Sequence, residues 1–352
     1  MKANRLKNKS LAVLTASLLA VFLLAASGAH AAHDLYIWEV YGNGNPGTGT
    51  LIKGPNGTVV LYDSGEGNGF AQQIKGILDS QGITYIDYVI IGHYDEDHCG
   101  GLYYLSNLMG GVSHFGTFYD RGGDMRADDS RPLFFVNNYL PLVTSGNRQI
   151  PALGPNIIDL GNGASISFLT RGRPDYVSSG ADDYLDVYAG SPVRVFSIEN
   201  NKSITMLVTY DGFDMFIGSD AQDSNELAAA GVISNTLGRG VDVILIDHHG
   251  SKTSSSDAFL ASIDPEYALI SCWDNAFGHP HSEVVDYLHY YVETGEGRQT
   301  IVRIDPGDIG DPDWAPENMF PECHTTNGHI VVSTDGTTYT VDGNGMTDPY
   351  RI

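Results

Sequence analysis

The sequence predicts an α/β fold, an αββα sandwich of two mixed β-sheets packed together with helices outside. Three observations predict it. Short apolar runs alternate with Gly-rich turns from Leu35 onward, the pattern is told twice along the chain, and stretches of helical period lie between the later runs. Residues 35–40, 49–53 and 58–62 read as strands, bounded by the Gly42-Asn43-Gly44 and Pro55-Asn56-Gly57 turns. Residues 70–80 read as a helix, and the continuous apolar run at 88–91 as a fully buried strand. In the second half, residues 165–169, 203–210, 214–217, 241–246 and 267–271 read as strands and 221–230 and 282–293 as helices. Residues 330–333 and 338–341 close the chain as a hairpin around Asp335-Gly336. The least regular stretch, 122–173, is expected to carry loops over a site, and the Asp-rich stretch 305–313 to be a solvated loop in preference to a calcium loop.

Composition narrows the class. A chain of 352 residues with 42% hydrophobic and 18% charged residues holds ample material for a core, which excludes disorder and coiled coil. The single long apolar run, 11–26, excludes a multi-pass membrane protein. That run follows Lys2, Arg5, Lys7 and Lys9 and precedes Ala29-His30-Ala31, so residues 1–31 read as a secretory signal peptide. Residues 32–352 are then a single domain without a low-complexity linker, exported to the periplasm or the extracellular medium and away from the membrane once cleaved. Cleavage removes four basic residues and no acidic one, taking the net charge from −24 to −28. Such a surface repels phosphate backbones at long range, and no Lys/Arg run forms a nucleic-acid track, so no stable nucleic-acid complex is expected. Cys99, Cys272 and Cys323 make an odd count without a CxxC pair; a Cys272–Cys323 bridge and three free thiols both remain open.

The chemistry concentrates at Gly92-His93-Tyr94-Asp95-Glu96-Asp97-His98-Cys99, directly after the buried strand. Four potential metal ligands fall within six positions: alternation puts His93, Asp95 and Asp97 on one face, and His98 starts the next helix. Open α/β sheets place ligands at such a strand end. Further polar groups follow later strands: Gly218-Ser219-Asp220, Asp247-His248-His249-Gly250-Ser251, and Asp274-Asn275 with Gly278-His279-Pro280-His281. Adjacent strands would bring these ends together.

These residues resemble the metallo-β-lactamase superfamily, in particular the soluble relatives of the ComEC hydrolase domain, with His-x-Asp-x-Asp-His in place of the usual His-x-His-x-Asp-His. Tyr62-Asp63-Ser64-Gly65, Asn200-Asn201-Lys202-Ser203, Gly218-Ser219-Asp220, His248-His249-Gly250-Ser251, Asn275 with Gly278-His279-Pro280-His281, and residues 326–330 follow the family's motifs in order. The resemblance implies two divalent metal ions, zinc or manganese, with magnesium also compatible. His93 and Asp95 would hold one, Asp97, His98 and His249 the other, and Asp220 would bridge them, with His248 and His249 exchangeable in that assignment. The superfamily's additional histidine has no counterpart here except His114, which lies early for the role. Asp97, His248 and His279 are the expected catalytic side chains, His279 as a general acid or oxyanion contact, since an imidazole titrates near working pH. The resemblance implies an exported metallo-hydrolase, foremost a phosphodiesterase or nuclease working through a metal-bridging hydroxide on a small phosphodiester or nucleic-acid substrate. A carboxylic ester or lactone hydrolase, less readily a β-lactamase, and a non-catalytic secreted binding module are the alternatives.

Overall fold

A computed structural model describes residues 33–123, 132–174, 182–196, 198–272, 277–294, 301–304, 324–325, 328–343 and 346–351. The expected leader, the 305–313 stretch, Asn275 and Cys323 lie outside these residues. Asp34–Ile352 make up one structural unit, and no described helix is long and apolar enough to cross a membrane.

The first sheet takes β1 (Leu35–Glu39), β2 (Thr50–Lys53), β3 (Val59–Tyr62), β4 (Ile86–Ile90), β5 (Phe115–Tyr119) and β6 (Asn147–Gln149). The late strands β17 (Ile330–Thr334), β18 (Thr338–Gly343) and β19 (Met346–Arg351) complete it, in the order β19-β18-β17-β1-β2-β3-β4-β5-β6. The second sheet contains β7 (Gly154–Gly161), β8 (Ala164–Gly172), β9 (Asp182–Val187), β10 (Val193–Phe196), β11 (Thr205–Tyr210) and β12 (Phe213–Ile217). It continues through β13 (Val243–Leu245), β14 (Tyr267–Ile270), β15 (Ile301–Ile304) and β16 (His324–Thr325), in the order β10-β9-β8-β11-β12-β13-β14-β15-β16 with β7 on β8.

Each sheet is antiparallel on one side and parallel on the other: β3 to β6 are parallel in the first, β12 to β16 in the second. Register aligns the strand ends. Glu39, Thr50, Tyr62, Ile90 and Tyr119 form one row across the first sheet, and Ile217, Leu245 and Leu269 one across the second. The loops that leave these rows share one rim.

Strand alternation builds the layers. Val60 and Tyr62 of β3 face the core between the sheets with Met215 and Ile217 of β12, whereas Val59 and Leu61 face helices α1 (Gly67–Ser80) and α2 (Glu96–Met109). Phe216 faces the opposite helical layer of α3 (Asp223–Leu237), α4 (Asp257–Ile263) and α5 (Ser282–Thr294). The observed layers are helix, sheet, sheet, helix.

Two departures from the sequence reading are instructive. Helix α3 runs to Leu237, past the predicted end at 230, because Gly231 lies in open space and only Gly238, at φ 66°, closes the helix in the left-handed region. The stretch 122–173 is not loops alone: Pro132–Phe134 and Leu140–Ser145 are helical, and β6, β7 and β8 follow. Phe135, Tyr139 and Val143 anchor the helical part in the core under α1 and α2, while β7 opens on Gly-Pro-Asn, turn residues that disguise a strand.

Candidate metal centre

The contiguous motif leaves β4. Gly92 must be glycine, since an added Cβ would lie 2.4 Å from Ser219 Oγ across the sandwich. Asp95 occupies the N-cap position of α2, which starts at Glu96, two residues before His98, so His98 points from the first turn of that helix. The second sheet answers with Asp220 after β12 and Asp247-His248-His249 after β13. At Gly218 a Cβ would fall 2.4 Å from Asp247 Oδ1, so only glycine lets these two loops lie side by side. Asp63, Ser219, His248 and His249 all adopt left-handed backbone, with φ between 52° and 59°. Such conformations cost non-glycine residues about 1 kcal/mol or more each and concentrate at functional sites.

The donor atoms converge. His98 Nε2 lies 3.0 Å from Asp220 Oδ1 and 3.9 Å from Asp97 Oδ2. His93 Nε2 lies 3.5 Å from Asp95 Oδ2 and 3.7 Å from Asp220 Oδ2. His249 Nε2 lies 3.5 Å from Asp97 Oδ2 and 3.7 Å from Asp220 Oδ1. Donors bound at 2.0–2.1 Å around a tetrahedral ion stand about 3.3 Å apart, so these separations suit shared cations. Among the described residues two groups could hold an ion: His93, His98 and Asp220, and Asp97, His98 and His249. The geometry places His98 in both groups, where the family pattern gives it to the second alone, and sets Asp95 beside His93 at the edge of the first.

Hydrogen bonds behind the donors fix the imidazole tautomers. His98 Nδ1 donates to buried Asp63 Oδ2 at 2.8 Å. Asp63 is itself held by the Gly92 N–H at 2.7 Å and the Ser219 hydroxyl at 2.7 Å. His93 Nδ1 faces Ser219 Oγ at 3.1 Å, and His249 Nδ1 donates to the Ser271 carbonyl at 3.0 Å. Each ring therefore directs its Nε2 into the centre, the arrangement metal-binding histidines use. The buried His93 Nε2, His98 Nε2 and Asp220 Oδ1 have no hydrogen-bond partner. Such atoms are costly to bury unless something fills the space between them. By this measure the residues fit a divalent cation.

The electrostatics agree. Burial alone would lower the pKa of His98, but Asp220, Asp97 and Asp63 carry it well above the usual histidine range. Burial would raise Asp97, yet His98 and His249 pull it down to about 2. The pocket is thus a sink for positive charge. Beneath it, burial pushes Glu226 up to about 8 and Asp247 well above the carboxylate range, Glu226 adding to the latter. Glu39, hydrogen-bonded to Thr48 and Thr50, is raised by burial to about 7.

His248 stands at the mouth, with Nε2 3.6 Å from Asp220 Oδ2. His279 lines the same cavity, of about 410 Å3, with Phe277, Asn200 and Glu66. Burial, then His248 and His249, lower the His279 pKa to about 3. The metal-free surroundings thus favour the neutral ring, which can donate one N–H. His114 sits in a 3-10 turn with Nδ1 2.9 Å from the Thr84 carbonyl and is not among the residues lining the cavity. Sequence reading gave no role to Asn200, whose amide donates to Asp220 Oδ2 at 3.0 Å, nor to Ser219. The quoted motifs contained both; what was missing was the geometry.

Residues 42–112 match the family model described as the metallo-beta-lactamase superfamily. Recombination protein 2 of Haemophilus influenzae is 28% identical over 252 residues, covering 70% of this chain and 25% of that protein. Competence protein ComA of Neisseria gonorrhoeae is 24% identical over 251 residues, covering 70% and 28%. The chain thus spans about a quarter of the length of these relatives. Among solved structures, unliganded yeast PDE1 overlaps 78% of the chain and 98% of its own, with a TM-score of 0.47 at 10% identity. The fold and the matched segment are those of the metallo-β-lactamase fold. More particularly, the chain is a relative of the ComEC-type competence proteins.

Proposed function

We propose that this protein is an exported, metal-dependent hydrolase of small phosphodiesters. The observation that carries the reading is the set of buried, unpartnered donor atoms of His93, His98 and Asp220, drawn from two sheets and aimed into one cavity. His93, Asp95, Asp97, His98, Asp220 and His249 would hold two divalent cations, which would supply Lewis acidity and counter-charge to the reacting phosphoryl oxygens. Three carboxylates among six donors lean toward manganese or magnesium more than an all-nitrogen set would, and these hard ions suit phosphate oxygens.

The chain's own groups divide the remaining work. Asn200 fixes Asp220 through its amide. His248 stands within reach of a substrate oxygen at the mouth, and the neutral His279 ring offers an N–H to the leaving side. Phe277, exposed and stacked on His279 with ring centroids 5.8 Å apart, forms an apolar wall for the alcohol portion. No Lys or Arg is among the described residues lining the cavity. A polymer bearing phosphates on both sides of the scissile one would meet acidic rims, which favours an isolated phosphodiester. Export rests on the leader at 1–31.

The test is metal analysis of the purified protein followed by turnover of bis-p-nitrophenyl phosphate, p-nitrophenyl acetate and a lactone, before and after EDTA and with added Mn²⁺ or Zn²⁺. Phosphodiester turnover that EDTA abolishes and metal restores is the expected result. Preference for the ester or lactone would overturn the substrate class, and indifference to EDTA would overturn the metal reading itself.

A further inference from the structure

Beside the metal centre lies a second buried polar cluster that no step above uses. Arg121, 1% exposed, leaves the end of β5 and forks onto Glu199, Nε to Oε1 at 2.8 Å and Nη2 to Oε2 at 2.9 Å. Its guanidinium carbon lies 4.3 Å from the centre of the Tyr94 ring. Glu199 Oε1 also accepts the Tyr94 backbone N–H at 3.2 Å. The Tyr94 hydroxyl donates to the Gly122 carbonyl at 3.1 Å and accepts from Arg148 at 2.9 Å. Arg148 in turn binds Asp120 Oδ2 at 2.7 Å, which Tyr139 also reaches at 2.9 Å. Burial would lower the pKa of Arg121, but Glu199 more than offsets this, so the guanidinium stays charged.

The chain positions give the cluster its meaning. Tyr94 stands between His93 and Asp95, and Glu199 precedes Asn200, whose amide holds Asp220. We infer that Arg121 and Glu199 are positioning residues: their forked ion pair sets the His93–Asp95 loop of the first sheet in register with the Asn200–Asp220 contact of the second. The inference builds on the proposed metal site and says which residues hold its two sides together. A bidentate pair suits the task because it fixes angle as well as distance, and removing such supports costs metal sites about 10-fold to 100-fold in affinity.

The test uses the full chain with Co²⁺ as probe. Replacing both partners by apolar side chains, Arg121→Met with Glu199→Met, leaves no charge stranded, so the double variant is expected to fold and melt close to the unsubstituted protein. It should nevertheless bind Co²⁺ about tenfold more weakly, with a displaced visible absorption band. Glu199→Gln keeps an acceptor for the Tyr94 N–H but removes the charge that holds the fork, so it should weaken Co²⁺ binding in the same direction. Arg121→Lys keeps the charge without the fork and serves if the double variant does not fold; it should move the band in the same direction by less. Unsubstituted affinity and spectrum in whichever of these two variants folds would overturn the inference. Amide exchange at Tyr94 and Asp95 in the metal-free protein separates its failure from that of the metal reading. Faster exchange in the variants supports positioning even if the unsubstituted protein takes up no Co²⁺, and unchanged exchange refutes positioning whatever the cobalt result.

Discussion

The cavity and the cluster beside it are built from the same kinds of side chain and reach opposite states. In the cluster, Arg121 and Arg148 meet Glu199 and Asp120, the Tyr139 hydroxyl donates to Asp120, and the Tyr94 hydroxyl accepts from Arg148 and donates to the Gly122 carbonyl. In the cavity, acids outnumber fixed cations, imidazole nitrogens turn inward without a hydrogen-bond partner, and four residues hold left-handed backbone. Buried charge is tolerable in either arrangement only when it is matched. The first cluster matches itself and so has a structural meaning. On the proposed reading, the second is completed by a cation brought from outside.

The sharpest way to break that contrast is to alter the residue that faces all three ligand histidines. Asp220→Asn keeps size and the Asn200 neighbour but removes the charge. Metal content by elemental analysis should fall, and phosphodiester turnover should drop by more than the about 100-fold that loss of a supporting partner costs. Normal turnover would reduce the cavity to another structural cluster.

A smaller effect sharpens the difference in charge balance. Glu39 has its folded pKa raised from 4.5 to about 7 by burial. The folded state then prefers the protonated carboxyl, so its stabilising effect is complete below 4.5 and fades as pH climbs to about 7. The loss amounts to about 3 kcal/mol in the metal-free protein, at 1.36 kcal/mol per unit. Glu39→Gln should flatten chemical-denaturation stability across that window and stabilise the protein at pH 8. An unchanged slope would mean that Glu39 is already neutralised like the acids around Arg121.

The smallest effect belongs to His114. His114→Ala should leave turnover and metal content unchanged and shift stability by no more than about 0.5 kcal/mol, as a surface substitution does. A loss of metal would bring that turn into the site.

The same contrast explains what could be read from the sequence. His93, Asp95, Asp97 and His98 stand in one short loop after an apolar run, so their clustering is a property of the chain. Asp220, His249 and His279 each follow a separate strand, and only the order of motifs tied them to the first four. The two-sheet sandwich was legible because β3 and β13 are uninterrupted apolar runs and β4 and β12 are broken by a single Asp each. Strand β7 and the helical turns after Pro132 were not, because turn residues and mixed polarity hide their period. Arg121 and Glu199 left no mark at all: a buried ion pair between residues 78 positions apart looks, in sequence, like two surface charges.

One consequence of the strand directions concerns how this fold can be carried by larger proteins. Leu35, which opens β1, pairs with Thr334, and Tyr350 near the close of β19 pairs with Tyr339 beside it, all at the rim opposite the cavity. The polypeptide thus enters and leaves the sandwich by its back door. Additional modules can be spliced to either side without a linker crossing the mouth, as a cartridge is fitted into a housing from behind.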